Sequence, residues 1–250
     1  MKIFYHDQFA ARYASDPAAD HGRLEPSLKL LSEKYAFVEP RPAMKEEVLL
    51  VHTDRHYRDI AGDELLLETA LLAAGATIEA SDTAMAGEYA FALCRPPGHH
   101  ASPDSSWGFC YFNNLAVAVK RLLNSGEINS ALIVDFDLHY GDGTANIFQA
   151  EPAVSFWHGG ENSRAGYLKE LEADLHAYKA DLVAVSAGFD RGIDDWGSML
   201  TAEDYREIGR ILSAFAAMEC QGRLFAALEG GYNANAVAKN LDAFLDGLHI

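Results

Sequence analysis

Four short clusters hold the residues that could do chemistry. They read Arg95-Pro96-Pro97-Gly98-His99-His100, Asp137-Leu138-His139-Tyr140-Gly141-Asp142-Gly143, Gly188-Phe189-Asp190 and Glu229-Gly230-Gly231-Tyr232-Asn233. Asp135, Asp137 and His139 fall at alternate positions, so an extended chain points all three side chains to one face. Two carboxylates side by side repel unless a cation or a proton lies between them. Asp137, His139 and Asp190 together would make a three-ligand site with an open position, as in a catalytic rather than a structural zinc. The same residues also fit a hydrogen-bonded polar cluster that merely closes a sheet, and Asp190 alone fits a helix cap.

An open metal position holds a water of lowered pKa, but two anionic ligands weaken the metal, so a base must help. His99 and His100 supply imidazoles that titrate near neutrality. Each needs a carboxylate to set its tautomer, and Asp135 and Asp142 are available. Tyr232, presented on a Gly-Gly turn, could donate its phenol to a developing oxyanion. These roles add up to metal-assisted hydrolysis of a carbonyl compound.

Each cluster follows a short apolar run. The runs Lys2–Tyr5, Val48–His52, Tyr89–Cys94, Ala131–Phe136, Ala153–Trp157, Leu182–Ala187 and Leu224–Leu228 read as strands, most of them buried on both faces of a parallel sheet. Between them lie helical stripes: Leu115, Val119, Leu122 and Leu123 before Ser125-Gly126; Leu168, Leu171, Leu175 and Tyr178; Tyr205, Ile208, Leu212 and Phe215 after a Thr201–Asp204 start; and Val237, Leu241, Phe244, Leu245 and Leu248. Alternation of this kind predicts βαβ units, with ligands bound beyond the carboxyl ends of the strands. No repeat or linker divides the chain, so residues 1–250 are expected to form one α/β domain.

Composition removes several classes of function. With 20 basic and 37 acidic residues the net charge is −17, which disfavours nucleic acid and anionic membrane as partners. Three widely spaced cysteines, Cys94, Cys110 and Cys220, with no CxxC, disfavour a disulfide framework and point to a reducing, cytoplasmic setting. No apolar stretch of ~18 residues or signal-like leader occurs.

The segments RPPGHHA, GFCYFNN, VDFDLHYGDGT, SAGFD and LEGGYN stand in the order found in the histone deacetylase and acetylpolyamine amidohydrolase superfamily, which the chain resembles over nearly its whole length. The resemblance implies the arginase–deacetylase fold, a three-layer α/β/α sandwich with a mainly parallel sheet of about eight strands. It implies a zinc site at Asp137, His139 and Asp190, with iron or cobalt as alternatives. His100 with Asp142 then resembles the general base and acid, His99 with Asp135 the electrostatic partner, and Tyr232 the carbonyl-polarising tyrosine. Gly108 and Phe109 resemble residues that line the acyl-lysine channel. Asp135, Asp137, His139, Ser155 and Phe156 resemble the groups that hold a structural potassium ion.

Departures from the pattern are visible. Tyr140 replaces a histidine, Glu229 a glycine and Trp196 a proline, and His21–Pro26 matches only loosely. Only 190 − 139 = 51 positions separate the second metal ligand from the third, too few for the Gly-rich channel loop of histone deacetylases. The chain resembles a short prokaryotic branch. The expected activity is removal of an acetyl or similar acyl group from acetyl-lysine or a small N-acetyl amine or polyamine, with the oligomeric state open. A missing channel wall would be supplied by another residue such as Trp196, by a neighbouring subunit, or not at all. Two competing readings are a dinuclear arginase-type hydrolase, for which Asp190-Arg191-Gly192 lacks the further carboxylate, and a non-catalytic domain, which would have lost a site residue.

Overall fold

The continuous apolar runs become the buried interior strands of one parallel sheet. The computed structural model describes residues 1–249. The strands are β1 (Lys2–Phe4), β2 (Ala36–Val38), β3 (Ala90–Ala92), β4 (Ala131–Asp135), β5 (Val154–His158), β6 (Leu182–Ala187) and β7 (Leu224–Leu228), in the order β2-β1-β3-β7-β6-β4-β5. All pairings are parallel. Among the described residues the sheet has seven strands, in line with the expected parallel sheet of about eight.

The helices are α1 (Glu25–Leu31), α2 (Lys45–Val48), α3 (Asp54–Ile60), α4 (Glu64–Met85), α5 (Asn114–Ser125), α6 (Asp142–Phe148), α7 (Arg164–Leu175), α8 (Ala202–Glu219) and α9 (Ala234–Leu248). One layer is built on α4 and α5, which pack on each other, with α4 crossing β1, β3 and β7. The other is built on α8 and α9, flanked by α7 and α1. The predicted stops and starts are the ones used: Gly126 is left-handed at φ 74° after α5, and Thr201 and Asp204 cap α8 reciprocally. Tyr178 falls three positions beyond the end of α7 at Leu175, so the stripe assigned to that helix runs past it by its last member.

Val48–His52 is not a strand. The Glu47 carboxylate accepts the Met44 backbone N–H at 2.7 Å and pairs with Arg41, which starts α2. The apolar run then closes into turns, with the Val51 and His52 N–H groups both bonded to the Val48 carbonyl. A short apolar run has no period of its own to resist a local cap. The strand that the sequence reading lacks is β2, a three-residue edge beside β1.

The longest helix, α4, was also not anticipated. Its 22 residues are rich in alanine and buried on most sides, so they leave no polar face to reveal a helical period. Gly75 is needed where the helix meets the Arg41 and Ala43 backbone, since any Cβ there would strike the chain.

The strand order brings the carboxyl ends of β3, β7, β6 and β4 side by side. These four strands are the ones followed by the four chemical clusters.

Candidate active site

Each cluster is held by backbone hydrogen bonds that cross between strand ends. Asp135, the last residue of β4, accepts the Asp137 N–H on one oxygen and stands 3.0 Å from His99 Nδ1 with the other. Asp137 accepts the His139 N–H at 2.9 Å and the Gly230 N–H at 2.8 Å, which ties the β4 and β7 loops together. A Cβ on Gly230 would strike Asp137 and Asp190, so only glycine permits this approach. Asp190 accepts the Leu138 N–H at 2.9 Å and caps no helix.

These bonds leave the buried Asp190 Oδ2 without a hydrogen-bond partner, whereas each Asp137 oxygen already accepts one N–H. The ligand atoms of Asp137, His139 and Asp190 lie within 4.8 Å of one another. His139 Nδ1 is 3.3 Å from Asp137 and 3.1 Å from Asp190, and the buried Asp190 Oδ2 makes no well-directed hydrogen bond. Their electrostatics ask for a cation. The hydrogen bonds of Asp137 and Asp190 push the His139 imidazole up to about 10. Burial and the charge of Asp137 push Asp190 up to about 6. Burial opposes ionisation of Asp137 as well, but the charge of His99 and the hydrogen bonds from His139 and Gly230 hold it low. Two buried carboxylates and one imidazole with an unsatisfied oxygen fit a divalent metal with an open position.

A second group, His99, Cys110 and Glu229, is similarly close. Burial keeps the Cys110 thiol well above its ordinary value, which makes it a poor metal ligand. Glu229 is instead a fastener: its Oε2 accepts the Gly98 and His99 N–H groups at 2.7 and 3.1 Å.

The tandem histidines face different surroundings. Burial opposes a charge on His99, but Asp137 and Asp135 outweigh it and raise its pKa well above the usual value. Burial and the charge of His99 lower the pKa of His100, against the pull of Asp142 at 2.6 Å. Two neighbouring imidazoles pushed in opposite directions can divide electrostatic and proton-transfer work. The second oxygen of Asp142 accepts the Trp107 indole N–H at 2.9 Å, while the Trp107 ring covers His100 at 3.9 Å between centroids.

Tyr232 stands across the pocket. Burial, then the charge of Asp137, raise its pKa far above 10, so it remains a donor. Asp195 accepts the N–H groups of Tyr232 and Asn233 at 2.7 and 2.8 Å, and Arg23 donates to the Glu229 and Gly231 carbonyls. The cavity above the triad has a volume of about 120 Å³ and is lined by His100, Trp107, Gly108, Phe109, His139, Trp196 and Tyr232. Gly108 adopts φ +58°, and a Cβ there would enter the His100 ring. Trp196 forms part of this lining. Tyr140 points elsewhere, against Phe156 and His158.

The structure thus brings together all the sequence-predicted residues except two. Ser155 and Phe156 pair with Leu132 and Ile133 on β4, whereas His158 is the residue beside Asp135. Arg23, Trp107, Arg191 and Asp195 were not singled out as site residues by sequence reasoning. The first lies more than 200 positions from its partners, and nothing in local composition marks such a contact.

Among the described residues no helix is long and apolar enough to cross a membrane, and the three cysteines are buried and unpaired.

Comparison with known proteins gives a consistent result. A family model described as the histone deacetylase domain matches residues 18–162 and 158–248. A probable deacetylase of Archaeoglobus fulgidus is 33% identical, covering 88% of this chain and 74% of the relative. The polyamine deacetylase HDAC10 of Danio rerio is 32% identical, covering 84% of this chain and 37% of the relative. The crystal structure of the HDA15 HD domain superposes with a TM-score of 0.86 at 24% identity, covering 99% of this chain and 88% of that one.

Proposed function

The chain belongs to the histone deacetylase family, and from that premise we propose that it is a metal-dependent amidohydrolase that removes an acetyl or similar short acyl group from an amine nitrogen. The observation that carries this reading is the open triad. Asp137, His139 and Asp190 converge within 4.8 Å beside the aromatic pocket, with a buried Asp190 oxygen left unsatisfied. A divalent cation held there, zinc first and iron or cobalt as alternatives, would supply Lewis acidity toward an amide carbonyl and acidify a water.

The chain's own residues do the rest. His100 is unprotonated near neutrality and is set by Asp142, so it takes a proton from the attacking water. It then returns that proton to the leaving amine. His99, paired with Asp135 at 3.0 Å, is the electrostatic partner beside the reacting centre. Tyr232 donates its phenolic hydrogen to the oxygen on which negative charge develops. Trp107, Phe109, Trp196 and Tyr232 shield the site from bulk water.

A cavity of about 120 Å³ suits an acyl head group and little more. A long acyl-lysine stem loses ~0.8 kcal/mol for each methylene left unburied. The net charge of −17 favours cationic amines. The preferred substrates are therefore small or cationic N-acyl amines rather than acetylated histone peptides. The test measures divalent metal per chain and kcat/KM for acetyl-lysine peptides, acetylpolyamines and small N-acetyl amines. Expected are about one metal per chain and the highest kcat/KM for the small or cationic amides. Absence of turnover on the whole panel by metal-loaded protein would overturn the reading.

A further inference from the structure

One buried charge beside the triad has no part in the reaction. Arg191 directly follows Asp190 and is only 5% exposed. Burying a guanidinium is costly unless its donors and its charge are both matched. Here Nε donates to the Asp137 backbone carbonyl at 3.0 Å. Nη2 lies 3.1 Å from His158 Nε2 and donates to the Gly159 carbonyl at 3.2 Å. The guanidinium rests 4.8 Å from the centre of the buried Tyr167 ring. These partners are carbonyls, an imidazole and an aromatic face. None is a carboxylate. His158 is neutral, because burial lowers its pKa against the pull of Asp135, so its Nε2 can accept. The matching negative charge lies one step further in, where His158 Nδ1 stands 4.0 Å from Asp135.

A cation bound through carbonyls next to an acidic cluster is what the resemblance implies for potassium. The residues do not fit a separate ion. The Asp137 carbonyl is already taken by Arg191, and both Asp135 oxygens are engaged, by the Asp137 N–H and by His99. Ser155 sits three rungs back from His158, the residue that faces Asp135. At ~3.3 Å per residue that offset is about 10 Å.

We propose that the Arg191 guanidinium replaces the potassium ion of the family as a built-in monovalent cation, and that it positions Asp137 for metal binding. Arg191 is a positioning residue: it touches neither substrate nor metal and acts through the Asp137 backbone. The proposal rests on Asp137 being a metal ligand.

The test compares the full chain in potassium, sodium and N-methylglucamine chloride at equal ionic strength, reading Tm and the affinity for Zn²⁺ by chelator competition. Wild type is expected to show the same Tm and the same affinity in all three salts. Arg191→Ala is expected to bind Zn²⁺ about 10- to 100-fold more weakly, the scale for loss of a residue that orients a ligand. Added potassium or guanidinium should restore part of that loss. A rise in Tm or Zn²⁺ affinity of the wild type specific to potassium would overturn the proposal. So would an Arg191→Ala protein that binds Zn²⁺ normally, or one that binds weakly and is rescued by neither cation. If Arg191→Ala does not fold, Arg191→Gln, which removes the charge but keeps most of the side-chain volume, takes its place with the same readouts and the same overturning outcomes. Neither readout uses an acyl substrate, so failure here is separate from failure of the amidohydrolase reading.

Discussion

The Trp196 ring lies on the Tyr232 ring, with centroids 4.0 Å apart and planes inclined by 27°. The tyrosine proposed to hold the oxyanion is thus braced by the residue that walls the pocket. Trp196→Ala removes an aromatic contact of ~0.5–1.5 kcal/mol. The expected result is a fall of ~2- to 10-fold in kcat/KM for small N-acetyl amines. Acetyl-lysine peptides should lose less, because the opened wall admits a longer stem. The ratio of the two kcat/KM values checks this, and an unchanged ratio would remove Trp196 from the specificity argument.

Tyr232→Phe keeps the ring on Trp196 and deletes only the donor. Turnover should drop by a factor on the order of 10²–10³, the scale for one oxyanion donor. Metal content should be unchanged, as read by elemental analysis of the same sample.

Asp190→Ala removes the carboxylate whose Oδ2 is buried without a well-directed partner. Metal and activity are expected to disappear together. Full metal occupancy in that variant would show that Asp190 is not a ligand.

The Trp107 indole competes with His100 for the charge on Asp142. With the His100 pKa lowered by burial, kcat/KM should rise with pH and level off before neutrality. Trp107→Phe keeps the ring over His100 but frees the second Asp142 oxygen. The Asp142 charge then acts more fully on His100, raises its pKa, and moves the acid limb to higher pH. One neutral donor contributes about 1 kcal/mol, so the move should be less than ~1 pH unit. The kcat/KM profile between about pH 5 and pH 8 measures it.

Glu229 is fully buried, and burial raises its carboxyl to about 7. A raised acid favours the fold while protonated. Its contribution is complete below the ordinary glutamate range and is lost as pH climbs through about 7. Glu229→Gln keeps an acceptor for the Gly98 and His99 N–H groups without the titration. The decline of Tm between about pH 4.5 and pH 7 should therefore be shallower in the variant. Thermal melts at fixed metal load across that range decide it.

Much of this was legible in the chain itself. The runs at Ala131–Asp135, Leu182–Ala187 and Leu224–Leu228 are continuously apolar or nearly so and short, which suits strands of a sheet covered on both faces, and all three are buried strands. The clusters after them fall at the carboxyl ends, where a parallel sheet leaves room for ligands. What failed was local and ambiguous. Val48–His52 is apolar, short and without period, and Glu47 decided its fate by capping α2. Helix α4 was hidden because burial on most sides leaves no amphipathic signal.

The candidate ligands were picked out by residue type, Asp137 and His139 also by their alternate spacing from Asp135. However, β4 ends at Asp135, so both lie in the bend after the strand, and it is the loop, not strand geometry, that turns them toward Asp190. Their fastening was not legible in the sequence. Arg23 reaches the Tyr232 loop across more than 200 residues, Glu229 bonds the tandem-histidine loop from another strand, and Arg191 turns back onto the Asp137 carbonyl. A buried arginine and a surface arginine look the same in sequence. Only strand order and register, set by packing of the whole chain, decide which carbonyl each guanidinium meets.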